Sequence, residues 1–217
     1  MTLFNYLSGA WPEILHLTMQ HLMLVSIAVG LAILVGVPLG VVMIRHPGLA
    51  SLMLGLATVV LTLPSIALFG LMIPLFSRFG QGLGPLPAIT AVFLYSLLPI
   101  MRNTYLALDG IEDGVKEAGI GIGMTFWQRL RLVDLPLAVP VILGGVRSAV
   151  VMNIGVMAVA AVIGAGGLGV LILHAISQSN MQKLVVGAVL ISVLAIVADA
   201  LLQWLQRVLT PKGMQKL

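Results

Sequence analysis

Tyr95, Arg147, Asn153 and Asp199 are isolated polar side chains inside long apolar runs. Such groups are costly in a bilayer and face a partner or a water-filled path. The chemistry open to them is recognition, gating or proton relay. Arg147 lies about two helical turns past Pro140. It either snorkels to the interface or joins an ion pair closing an inner gate. Asn153, deeper in the same run, either bonds a neighbouring helix or lines the pathway. Asp199 sits near the end of the last run, could reach Arg207 only indirectly, and suits an interfacial position better than a proton relay. Bond-making chemistry has no candidate, because no nucleophile–base pair or His/Glu metal constellation occurs in these runs. Met152, Met157, Met181 and His174 lack metal-ligand spacing. No Gly-x-x-x-x-Gly-Lys-[Ser/Thr] phosphate loop occurs, nor a single Gly-Lys pair, so this chain is not an ATPase. The glycine cluster 164–169 follows an apolar run rather than a strand and reads as a tight turn, one that could meet another protein.

The elements that carry these residues follow from composition. The 217 residues are 60% hydrophobic and 8% charged, against roughly 25% charged in a soluble domain. A chain so poor in charge cannot cover a water-facing surface and is predicted to be an all-α integral membrane protein. The absence of cysteine removes disulfides and thiolate metal sites. The net charge of +4 comes from basic residues scattered beside apolar runs, which suits orientation in a bilayer rather than nucleic acid binding. No Lys or Arg occurs in residues 1–20, so a secretory signal start is not expected. Trp11 to Leu17 reads as a short interfacial helix entered at Pro12, or equally as an extension of the first span.

A spanning helix needs about 20 apolar residues. Five spans are predicted within a single domain, 1–217, at about 22–44, 49–76, 88–108, 137–163 and 184–205. The second contains Pro64 and Pro74 and is expected to be tilted or broken at Thr62–Ser65. Broken backbone at that depth requires protein or water to satisfy it, which makes Pro64 a candidate pathway residue with Tyr95. The Gly/Pro-rich segment 77–87 is predicted to be an aqueous loop, and 170–183 an interfacial helix or loop. If the interval 109–136 is cytosolic, Arg45, Arg102, Lys116, Arg129, Arg131, Arg147, Arg207, Lys212 and Lys216 share its side, leaving only Arg78 and Lys183 outside. The positive-inside rule then gives N-out, C-in.

That interval between the third and fourth spans is patterned. Val115 to Ala118 reads as a short helix, Gly119, Gly121 and Gly123 as a sharp reversal, and Thr125 with Gln128 as a capping box. Phe126, Leu130 and Val133 share one face of a second short helix, and Pro136 restarts the apolar run. Glu117-Ala118-Gly119, three residues, Gly123, nine residues, Val133, one residue, Leu135-Pro136 resembles the cytosolic EAA motif of ABC importer permeases. Gly119 stands where that motif has its second alanine, and Val133 where it has isoleucine. The run 134–147 (DLPLAVPVILGGVR), Asn153-Ile154-Gly155 and the 164–169 glycines are similar to the osmoprotectant, or quaternary-amine, permeases; methionine-type permeases share much of this frame.

The resemblance implies a type I ABC importer permease fold in which 109–136 is the loop docking the ATPase, with Glu117, Ala118, Gly119, Gly123, Val133, Leu135 and Pro136 forming the contact. It implies uptake of glycine betaine, choline, carnitine or a related solute. It further implies a dimeric ATPase binding ATP and Mg, a second permease chain, identical or paralogous, and an extracytoplasmic binding protein. No cofactor is expected on this chain. Pro64, Tyr95, Arg147 and Asn153 stand as pathway or gate candidates. Aromatics are only 6% of the residues, too few for a quaternary-ammonium cage, so high-affinity selection is expected on the binding protein. An ion-coupled carrier would need intramembrane coupling groups that the spans lack.

Overall fold

The computed structural model describes residues 3–210, and side chains from Gly9 onward. The basic residues Lys212 and Lys216 lie outside the described residues. Among the described residues every regular element is helical. They are α1 (Leu3–Arg45), α2 (Pro47–Thr62), α3 (Ser65–Ser77), α4 (Pro85–Asp109), α5 (Asp113–Gly121), α6 (Phe126–Arg129), α7 (Leu135–Val159), α8 (Gly169–Ser177) and α9 (Met181–Leu209). A π-turn, Leu130–Asp134, joins α6 to α7, and a 3₁₀ turn, Ala160–Ile163, extends α7. Gly9–Arg45, Pro85–Asp109, Phe126–Ile163 and Met181–Leu209 are each long and apolar enough to cross a membrane, and α2 with α3 forms a further, bent pair.

The core lies where α1, α4 and α7 meet. Without a hydrophobic drive between helices in lipid, close approach of small residues supplies the packing. A Cβ on Gly40 of α1 would lie 2.6 Å from Thr104 of α4, and one on Gly145 of α7 would lie 2.6 Å from the Pro99 carbonyl oxygen of α4. Ala28, Ala32, Ala88, Ala91 and Ala149 are buried in the same cluster with Phe69, Ile154 and Met157.

The structure decides two readings left open by the sequence and shifts two helix boundaries. The Trp11 to Leu17 segment is not a separate interfacial helix but part of unbroken α1. Ile14 and Leu17 are buried against Leu168 and Leu171, so tertiary packing continues the helix through Pro12. The loop after α3 is shorter than 77–87, because Pro85 takes a first-turn position in α4, where its missing N–H costs nothing. Segment 170–183 is mostly helix α8, with Asn180 capping α9 by accepting from the Lys183 N–H at 3.1 Å. The fourth apolar helix starts well before residue 137, at Phe126.

Helices α2 and α3 meet at 104° across Leu63–Pro64. Pro64 has no N–H, and the Ala67 and Leu68 amides both bond its carbonyl, leaving the Leu63 carbonyl outside the helical ladder. The Tyr95 hydroxyl, on α4, donates to that carbonyl at 2.7 Å, and Tyr95 is 3% exposed. Tyr95→Phe is therefore expected to destabilise the fold by about 1 kcal/mol, the net worth of one hydrogen bond to a partly buried acceptor. Thermal melting of detergent-solubilised protein measures this, and an unchanged melting temperature would deny Tyr95 the role.

Candidate functional site

The α5–α6 arm carries the Glu-Ala-Gly step. Glu117 and Ala118 are exposed on α5, whereas Gly119 is buried. A Cβ at Gly119 would sit 3.2 and 3.3 Å from Cδ and Cγ of Arg129, so the arginine stem crosses the helix at this glycine. Arg129 Nε then donates to Asp134 Oδ2 at 3.2 Å. Glycine at 119 leaves room for that strut. The reversal is narrower than expected from the sequence. Gly119 and Gly121 belong to α5, and only Gly123 takes a left-handed conformation, φ 82°, which favours glycine. Thr125 and Gln128 form both bonds of a capping box. Arg45, ending α1, lies 4.6 Å over the Phe126 ring, a cation–π contact that ties the arm to the bundle.

The second short helix expected here is instead the first turn of a 38-residue helix, Phe126–Ile163. Pro136 does not restart the chain. Its ring would crowd the Leu132 carbonyl in a regular α-helix, and the wider π-turn occupies that stretch, with the Leu135 N–H reaching back to the Leu130 carbonyl. Ala118, Gly119 and Val133 come together with Val115, Ile122 and Met124 around a groove of about 450 Å³. Ile120, Ile122 and Trp127 are 61%, 76% and 57% exposed beside it. This is an apolar rim with a free carboxylate at Glu117, suited to receiving another protein.

Of the pathway candidates, Arg147 alone pairs with charge. Its guanidinium grips Asp199 of α9 in a two-pronged contact, Nε to Oδ1 and Nη2 to Oδ2, the latter at 2.7 Å. Arg147 lies twelve residues into α7 and Asp199 ten residues before the end of α9, roughly 18 and 15 Å along the helices. Of the two readings of Arg147, this matches the ion pair, with Asp199 as the partner. Two lone opposite charges at similar depth on antiparallel runs were the sequence signal for the pair. Asn153 is fully buried and donates to Ser96 Oγ of α4 at 2.8 Å, so it braces two helices and lines no opening. Tyr95 is likewise turned inward, onto the break at exposed Pro64.

Gln20 and His21 carry no local signal of their role. Gln20 Oε1 accepts the Gly167 N–H at 2.9 Å. His21, fully buried, accepts the Leu168 N–H on Nδ1 at 3.3 Å and donates from Nε2 to the Ile154 carbonyl at 3.0 Å. These bonds hold the turn in which Gly164, Gly166 and Gly167 all have positive φ. Among the described residues no cluster of three or more His, Asp or Glu side chains could hold a metal ion.

The described residues thus form a bundle of membrane-length helices with one bent helix pair, an ion pair between α7 and α9 and a projecting α5–α6 arm. Residues 14–212 match the family of binding-protein-dependent transport system inner membrane components, and the chain belongs to that family. It is 63% identical over 215 residues to the osmoprotectant import permease protein OsmW of Salmonella typhimurium, covering 99% of this chain and 100% of that protein. It is 41% identical over 213 residues to the glycine betaine/carnitine/choline transport system permease protein OpuCB of Bacillus subtilis, covering 98% and 96%. The fold is that of a chain of the MetNI methionine ABC transporter in an inward-facing conformation, with TM-score 0.83, 24% identity, and 91% and 96% of the two chains covered. The chain is thus a multi-pass permease of the bacterial inner membrane.

Proposed function

We propose that this chain forms half of the pathway of an ATP-driven importer for a small quaternary-amine osmoprotectant. The observation that carries the substrate class is the end-to-end similarity to OsmW, reinforced by 44% identity over 213 residues to the choline transport system permease protein OpuBB of Bacillus subtilis. In this reading the bent α2–α3 pair is one span, giving five, and the basic residues set N-out, C-in. A dimeric ATPase, holding ATP and Mg, docks on the arm at Glu117, Ala118, Gly119, Gly123 and Val133. Leu135 and Pro136 lead that contact into α7. A second permease chain completes the path, and an extracytoplasmic binding protein delivers and selects the solute. The methionine alternative rests on shared fold alone.

The test is uptake of radiolabelled glycine betaine and choline into vesicles holding this permease with its ATPase and binding protein. Uptake should require ATP. Glu117→Lys should lower it by about tenfold or more, the scale of one lost interface hot spot, with permease levels unchanged. ATP-independent uptake, or uptake of methionine in place of both amines, would overturn the proposal; full ATP-coupled uptake by the variant would remove Glu117 from the contact.

A further inference from the structure

Arg147 and Asp199 stand side by side on the wall of a groove of about 560 Å³ between α7 and α9, bordered by Gly144, Ser148, Met152 and Gln206. Their side chains are 31% and 34% exposed. In the proposed five-span arrangement, charged groups facing lipid here would be poorly satisfied, which favours a groove open to water or protein. Gly144 and Ser148 are too small to cover the guanidinium. Beside the pair, Gln206 Nε2 donates to the Pro140 carbonyl at 2.7 Å and holds α9 against α7. The groove has the size of a small-solute site, which is about 300–1,000 Å³ in general.

We infer that the Arg147–Asp199 pair is a low-affinity passage site for zwitterions. The inference rests on the quaternary-amine reading and refines it. Empty, each charge satisfies the other. When a betaine-like solute arrives, its carboxylate takes the two-pronged place of Asp199 on Arg147, and the freed Asp199 faces the solute's ammonium. Opposite charges on the wall thus match opposite charges on the cargo, with no net charge added to the groove. A cation without a carboxylate can reach Asp199 only in competition with Arg147 and leaves the guanidinium unpaired, so it gains less from the site. Because the pair must part for each solute, binding is weak, as passage requires.

The test compares glycine betaine with choline, which shares the trimethylammonium group and lacks the carboxylate, in vesicles holding the permease, ATPase and binding protein. Arg147→Gln and the double variant Arg147→Gln/Asp199→Asn are each expected to lower the betaine-to-choline uptake ratio by about tenfold, the scale of one charge-assisted hydrogen bond. The double variant leaves no unpaired charge, which separates recognition from misfolding. Arg147→Lys, which keeps both charges, should hold the ratio within about threefold of wild type. An unchanged ratio in the neutral variants, or loss of both solutes together in both of them, makes the pair a structural brace and overturns the inference. Wild-type uptake of choline but not betaine overturns it; where betaine alone is taken up, the neutral variants should lower its uptake by about tenfold while Arg147→Lys holds it within about threefold. A wild-type complex that takes up neither sinks the quaternary-amine reading itself.

Discussion

Gly169→Ala is expected to prevent α8 from docking on α7. The added Cβ would lie 1.9 Å from the Ala158 carbonyl oxygen and 2.7 Å from its carbon. Both are rigid backbone atoms, so no side-chain rotation relieves the clash. The cost is about 3 kcal/mol or more, the upper range for overpacking. Solubilised protein should show a depressed melting temperature and early loss of the monodisperse peak on size-exclusion chromatography. Gly155→Ala is the matched control, since nothing lies within 4 Å of the position a Cβ would take there. Equal stability of the two variants would refute the packing argument.

The second large effect is expected at His21. His21→Leu keeps apolar bulk but removes the acceptor for the buried Leu168 N–H and the donor to Ile154. Orphaning one buried donor costs about 1–3 kcal/mol, concentrated in the 164–169 turn. Amide hydrogen exchange at Gly167 to Gly169 should accelerate by about tenfold or more, while the α5–α6 arm exchanges as before. Unaltered exchange at the turn would show that Gln20 alone holds it. Because the histidine bridges α1, α7 and the start of α8, the same variant should also loosen the packing of Leu17 on Leu168.

What the sequence made legible was local. The apolar runs announce membrane-length helices because nothing else hides so many apolar side chains. Pro64 announces the end of α2 because its ring cannot continue the ladder, and Thr125 with Gln128 announces a helix start. The illegible parts depend on residues far apart in the chain. His21 and Leu168 are 147 positions apart, and Arg147 and Asp199 are 52 apart. No local pattern states either pairing. Breakers also mislead where tertiary structure overrides them. Pro12 stays within α1, Gly119 and Gly121 stay within α5, and Pro136 is absorbed by a π-turn rather than ending a helix. At Asn153 the polarity was evident but its direction was not, since only the fold shows Ser96 opposite.

The Phe126–Ile163 helix has a mechanical meaning. It packs tightly on α4 at Gly145, against the Pro99 carbonyl, nineteen residues from one end and eighteen from the other. That is about 28 Å and 27 Å of helix, a beam with its fulcrum at the centre. Were Gly145 the pivot, a push of a few ångströms on Phe126 would tip Ile163 the opposite way by a similar distance. On that geometry a displacement at the arm and a displacement at the glycine turn would be two ends of one rotation.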